Sequence, residues 1–117
     1  MAGYRYTEGM ALIARGYINQ EKLDSEIERI KLLLGPEVVR LKHTLGEDHN
    51  GEPSIHFRIV LTDSASREEV LGDVTGQISQ ILYDELRPYE NWGLNLYTSV
   101  RSQSEQAKRA NLDLNWV

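Results

Sequence analysis

Two short stretches alternate apolar and polar residues with a period of two. Over residues 37–45, Val39, Leu41, His43 and Leu45 share one parity, against Val38, Arg40, Lys42 and Thr44. Over residues 54–62, Ile55, Phe57, Ile59 and Leu61 alternate with His56, Arg58, Val60 and Thr62. Successive strand side chains point to opposite faces, so this pattern predicts a sheet with one buried and one polar face. Between the two lies 46–53, rich in Gly, Asp, Asn and Pro, which reads as a hairpin loop. The rest of the chain must therefore cover one apolar face of an antiparallel pair.

Two amphipathic segments can do so. Leu23, Ile27, Ile30 and Leu34 recur on one helical face over 20–34, with Asn19 as the expected cap and Gly35-Pro36 as the stop. Val70, Val74, Ile78, Ile81 and Leu82 form the face of a longer helix over 66–86, which Ser66 and Glu69 are expected to open as a capping box. A third strand is read over 93–101 from Leu94, Leu96 and Val100, opposite Asn95, Tyr97, Ser99 and Arg101, and a short helix follows over 103–110. The order α-β-β-α-β predicts an α+β two-layer sandwich. Its three-stranded sheet carries both long helices on one face, and its last strand runs parallel to the second. Its place in the sheet is open. Leu112, Leu114 and Trp116 form either an extra edge strand or an apolar tail.

The domain is read as 19–117, preceded by an arm, 1–18, in which Tyr4, Tyr6, Tyr17 and the apolar run 10–14 sit among glycines. Such a segment is expected to dock on a second chain, because its apolar surface is costly to leave in water. Gly72 and Gly76 inside the long helix suggest close approach by another backbone. The chain has 117 residues and no cysteine, which excludes disulfides, thiolate metal sites and cysteine catalysis. A net charge of −5 argues against a dedicated polyanion binder. With no signal-peptide pattern and no membrane-length apolar run, the expected location is the cytoplasm.

Candidate chemistry is sparse. His43, Glu47, Asp48, His49, Glu52 and His56 are all possible metal ligands, but His43 and His56 differ in parity and point to opposite faces. No metal or cofactor is therefore expected. The same parity predicts that His43 is mostly buried and His56 exposed. An enzyme would have to use His43 with the loop carboxylates. The polar sheet face gathers Arg40, Lys42, His56, Arg58, Tyr97 and Arg101, with no carboxylate at its strand positions. It should be continuous, free of helices and suited to an acidic protein partner. An RNA-binding role through Arg40, Arg58, Tyr97 and Arg101 is the weaker alternative, because a single tyrosine makes a poor stacking platform. Tyr89 and Trp92, in an aromatic-rich loop, are a second recognition candidate.

The run that begins at Trp92-Gly93 and ends in Arg101, Ser102, Gln103, Ser104, Glu105 and Gln106 resembles the end of small uncharacterised bacterial α+β proteins. Some of those are encoded beside toxin–antitoxin-type or nucleotidyltransferase-like genes. The resemblance covers a small part of the chain, carries no catalytic motif and implies a partner-binding role. The expected function is a non-enzymatic interaction module, either a homo-oligomer or the small subunit of a two-gene complex of antitoxin-like or adaptor type.

Overall fold

The computed structural model describes residues 18–109. The expectations for the N-terminal arm and for Leu112, Leu114 and Trp116 lie outside them. The elements run α1 (Gln20–Lys31), β1 (Val38–Glu47), β2 (Pro53–Leu61), α2 (Glu68–Leu86), α3 (Pro88–Trp92), β3 (Asn95–Ser102) and α4 (Gln103–Arg109), with a single 3-10 turn at Ser64–Ser66. The three strands form a mixed sheet in the order β1-β2-β3. β1 and β2 pair antiparallel, and β3 pairs parallel to β2, returned by the α2–α3 crossover. This is the α+β arrangement that the alternation predicts, and it puts the third strand beside the second.

Because β2 is central, its side chains are the most deeply enclosed. Ile55, Phe57, Ile59 and Leu61 form the floor of the core. Leu23, Ile27 and Ile30 of α1, and Ile78, Leu82 and Leu86 of α2, descend onto it. Asn19 caps α1 as expected, accepting from the Lys22 N–H at 3.0 Å. The helix ends earlier than its apolar spacing suggests, at Lys31, so that Leu32 and Leu33 lie in the following turn and are exposed. At a rise of about 1.5 Å per residue α1 is roughly 18 Å long against about 28 Å for α2. It cannot cover the whole of its partner, and Val70 and Val74 in the first half of α2 are only half-buried.

Three local readings are corrected. The alternation of β1 breaks at a bulge: Val38 pairs with Leu61 and Arg40 with Val60, leaving Val39 as the extra residue. Val39, read as core, is 46% exposed, and Val38 packs on the core instead. The capping box at Ser66 and Glu69 does not form. Ser66 Oγ donates to the Thr62 carbonyl, and Arg67, with no side-chain cap, precedes α2. No neighbouring helix among the described residues approaches Gly72 or Gly76, with nothing within 4 Å of where a Cβ would stand.

A capping box does open α4. Ser102 Oγ accepts from the Glu105 N–H at 3.0 Å, and Glu105 Oε1 accepts from the Ser102 N–H at 3.1 Å. Asp63 reinforces it, accepting from the Ser104 N–H at 2.9 Å and the Ser104 hydroxyl at 2.5 Å. These bonds hold the Asp63 carboxyl below its ordinary pKa.

Candidate functional site

The register turns the open face into four cross-strand rows. Gly46, Ser54 and Asn95 form the first; Thr44, His56 and Tyr97 the second; Lys42, Arg58 and Ser99 the third; Arg40, Val60 and Arg101 the fourth. Neighbours within a row are about 4.8 Å apart and successive rows about 6.6 Å apart. All six residues expected on the polar face are on it. Arg40, Lys42, Thr44 and Tyr97 are exposed, and His56, Arg58, Ser99 and Arg101 are half-buried.

The rows are tied together diagonally. Arg58 Nη1 donates to Thr44 Oγ1 at 2.7 Å, and His56 Nε2 lies 2.7 Å from Ser99 Oγ. This contact explains why His56, expected to be exposed, is half-buried. Burial, and then the Arg58 charge, push the His56 pKa below its ordinary value. Sequence spacing gave no hint of the His56–Ser99 pair, which depends on β3 lying beside β2.

The face is polarised along the strands. The hairpin loop folds over the first two rows, and Asp48 is its hub. Asp48 Oδ1 accepts from the N–H groups of Asn50 at 2.9 Å and Glu52 at 3.0 Å. Asp48 Oδ2 accepts from the Tyr97 hydroxyl at 2.9 Å and Asn95 Nδ2 at 3.2 Å. Asn95 Nδ2 also donates to Glu52 Oε1 at 2.9 Å. The Glu52 N–H bond leads the causes that bring the Asp48 pKa from 3.8 to about 2, while the Tyr97 phenol is pushed up by the bond it donates. Two carboxylates therefore sit at one end of the face and cations occupy the third and fourth rows. Tyr97, read as a stacking residue, instead locks the loop to the sheet.

The fourth row is not free of helix. α4 packs against β2 and β3, and Arg101 Nη1 donates to Gln106 Oε1 at 3.3 Å. Val60 in this row is only 3% exposed. The expected helix-free surface is thus bounded at its basic end by α4, because the capping box turns the chain back directly after β3.

The other candidates separate. His43 lies on the helix side, half-buried, with Nε2 3.1 Å from Asp24 Oδ1 of α1 and its ring 6.2 Å from that of Phe57. The structure does not bring it to the loop carboxylates. Among the described residues no group of three or more His, Asp or Glu side chains is placed to hold a metal ion. The aromatic loop is in fact α3, which buries Trp92 at 8% exposure and leaves Tyr89 67% exposed. Trp92 is a core residue and offers no recognition surface. No helix among the described residues is long and apolar enough to cross a membrane.

No known family model matches the chain, and comparison with curated proteins and with solved structures returns no match. The functional reading rests on the residues themselves.

Proposed function

We propose that this protein is a non-enzymatic interaction module whose docking surface is the open sheet face, and that the surface it meets is an acidic protein surface. The observation that carries this reading is the third row and its neighbours: Lys42 and Arg58 stand side by side across β1 and β2, with Arg40 and Arg101 in the next row and no carboxylate at the strand positions between them. Cations spread across two neighbouring strands favour an extended partner of opposite charge over a small substrate. His56 and Ser99 lie within this array, where the 2.7 Å contact serves to brace β2 against β3.

The test is an amide-resonance titration of the full chain with a polyglutamate peptide and, separately, with a uridine oligonucleotide at the same ionic strength. The peptide should perturb amides of β1, β2 and β3 around Lys42, Arg58 and Ser99. Lys42→Glu should sharply weaken the response at unchanged fold, since exposed charge reversals usually cost under about 0.5 kcal/mol. Perturbation by the oligonucleotide alone would replace this reading with an RNA-binding one. Perturbation by neither would end it.

A further inference from the structure

We infer that the cleft where the start of α1 meets the end of α2 and α3 is a binding site for a small monocarboxylic acid. This site lies in the helical layer, and it stands or falls independently of the open sheet face.

The cleft has a volume of about 480 Å³. Sites for small ligands run from roughly 300 to 1,000 Å³. Leu86 and Trp92, both core residues, close its base, and half-buried Ile18 lines one side. Around them stand Asn19, Lys22 and Asn91, all exposed, and Glu26, half-buried. Asn19 and Lys22 come from the first turn of α1. Asn91 comes from α3, which follows the left-handed turn at Arg87.

The chemistry of the rim selects the ligand. Asn19 Oδ1 is committed to the Lys22 N–H at 3.0 Å as the cap of α1, which fixes the carboxamide and leaves its Nδ2 hydrogens to donate elsewhere. Lys22 and Glu26 are one helical turn apart, a spacing at which opposite charges pair. Glu26 instead turns to Arg29 at 3.1 Å. Among the described residues, neither the Lys22 ammonium nor the Asn91 carboxamide has a partner. The cleft thus offers an ammonium and two carboxamide donors above a base of apolar side chains. A carboxylate on a short apolar body matches that set, because the ammonium gives it a charge-assisted hydrogen bond and the carboxamides satisfy its other lone pairs. A second negative charge on the ligand would meet the Glu26 carboxylate on the same cleft, so the site takes a monoanion.

Hydrocinnamate, its neutral amide and the dianion benzylmalonate are the probes. Each is titrated into the full chain, followed by amide and indole resonances, up to about 10 mM because ligands of this size bind weakly. Hydrocinnamate should shift the side-chain amides of Asn19 and Asn91 and the indole N–H of Trp92. The neutral amide should bind about tenfold more weakly, since it forfeits a hydrogen bond between charged groups. Benzylmalonate should bind no more tightly than hydrocinnamate. Lys22→Met changes an exposed helix position to another good helix former, so the fold should hold while the preference for acid over amide disappears. The inference is overturned if hydrocinnamate leaves those resonances unmoved, if acid and amide bind wild type equally, if Lys22→Met keeps the preference, or if benzylmalonate binds most tightly. Shifts confined to β1 and β2 around Lys42 and Arg58 would assign the acid to the open face and overturn it as well.

Discussion

Asp48 shows how one side chain can set the shape of a surface. Its carboxylate accepts four hydrogen bonds, two from its own loop and two from a strand that lies 47 and 49 residues further on. Those bonds favour the charged form, which is why the pKa falls from 3.8 to about 2. A carboxylate with a depressed folded pKa contributes stability that is full above its unfolded pKa and is lost as pH falls through the folded one. The clamp between loop and sheet should hold at pH 5 and release as pH drops from about 4 through 2. Side-chain resonances of Tyr97 and Asn95, followed through that range, should shift together with the Asp48 carboxyl. None of this network was legible beforehand, because Asn95 and Tyr97 reach Asp48 only once β3 is known to lie beside β2. The parity that placed Lys42, Arg58 and Arg101 on one face needed no such knowledge, since it is a property of each strand alone. His56 shows the limit of that logic. Parity says which way a side chain points, and a neighbour that arrives from elsewhere decides how much of it remains in water.

At the scale of elements, the same four-residue signature occurs twice with different outcomes. Ser66 with Glu69 and Ser102 with Glu105 both match a capping box. Only the second closes, where the chain turns sharply out of β3 and Asp63 holds Ser104. The first is pre-empted by the 3-10 turn, in which Ser66 Oγ is committed to the Thr62 carbonyl. Ser102→Ala should therefore cost about 1 kcal/mol of stability, in the range for an N-cap serine. Ser66→Ala loses one partly buried bond and should cost less, about 0.5 kcal/mol. Denaturant unfolding of the two variants orders them, and equal losses would mean that the box at α4 adds nothing beyond a single such hydrogen bond. The long helices and β2 were readable because their periodicity extends over many residues. The bulge in β1 was not, since one inserted residue leaves no mark in composition. α3 escaped notice for a similar reason: five residues starting at a proline are too few to show a period, and the turn into them relies on Arg87 in the left-handed region at φ 49°.

At the scale of the whole molecule, α2 and the open face of the sheet carry opposite charge. α2 contains Glu68, Glu69, Asp73, Asp84 and Glu85 and neither lysine nor arginine, while the strand positions of the open face hold cations and no carboxylate. The sheet itself is divided as well. β1 and β2 are neighbours in sequence joined by a short loop, whereas β3 reaches its place only after α2 and α3 have formed the crossover. Closing that longer loop costs more chain entropy, and the parallel ladder gives slightly less per residue in return. The hairpin is therefore expected to organise early and β3 late, with β3 and α4 the first to detach. Native-state hydrogen exchange should show amides of β3 opening with a smaller free energy than those shared by β1 and β2, and uniform protection across all three strands would contradict this. Such an opening has a consequence for quality control in the cell. Whenever β3 swings away, the most apolar strand of the protein, with Ile55, Phe57, Ile59, Val60 and Leu61, becomes a bare edge. That is the segment a chaperone would grip, and the one through which crowded copies would aggregate.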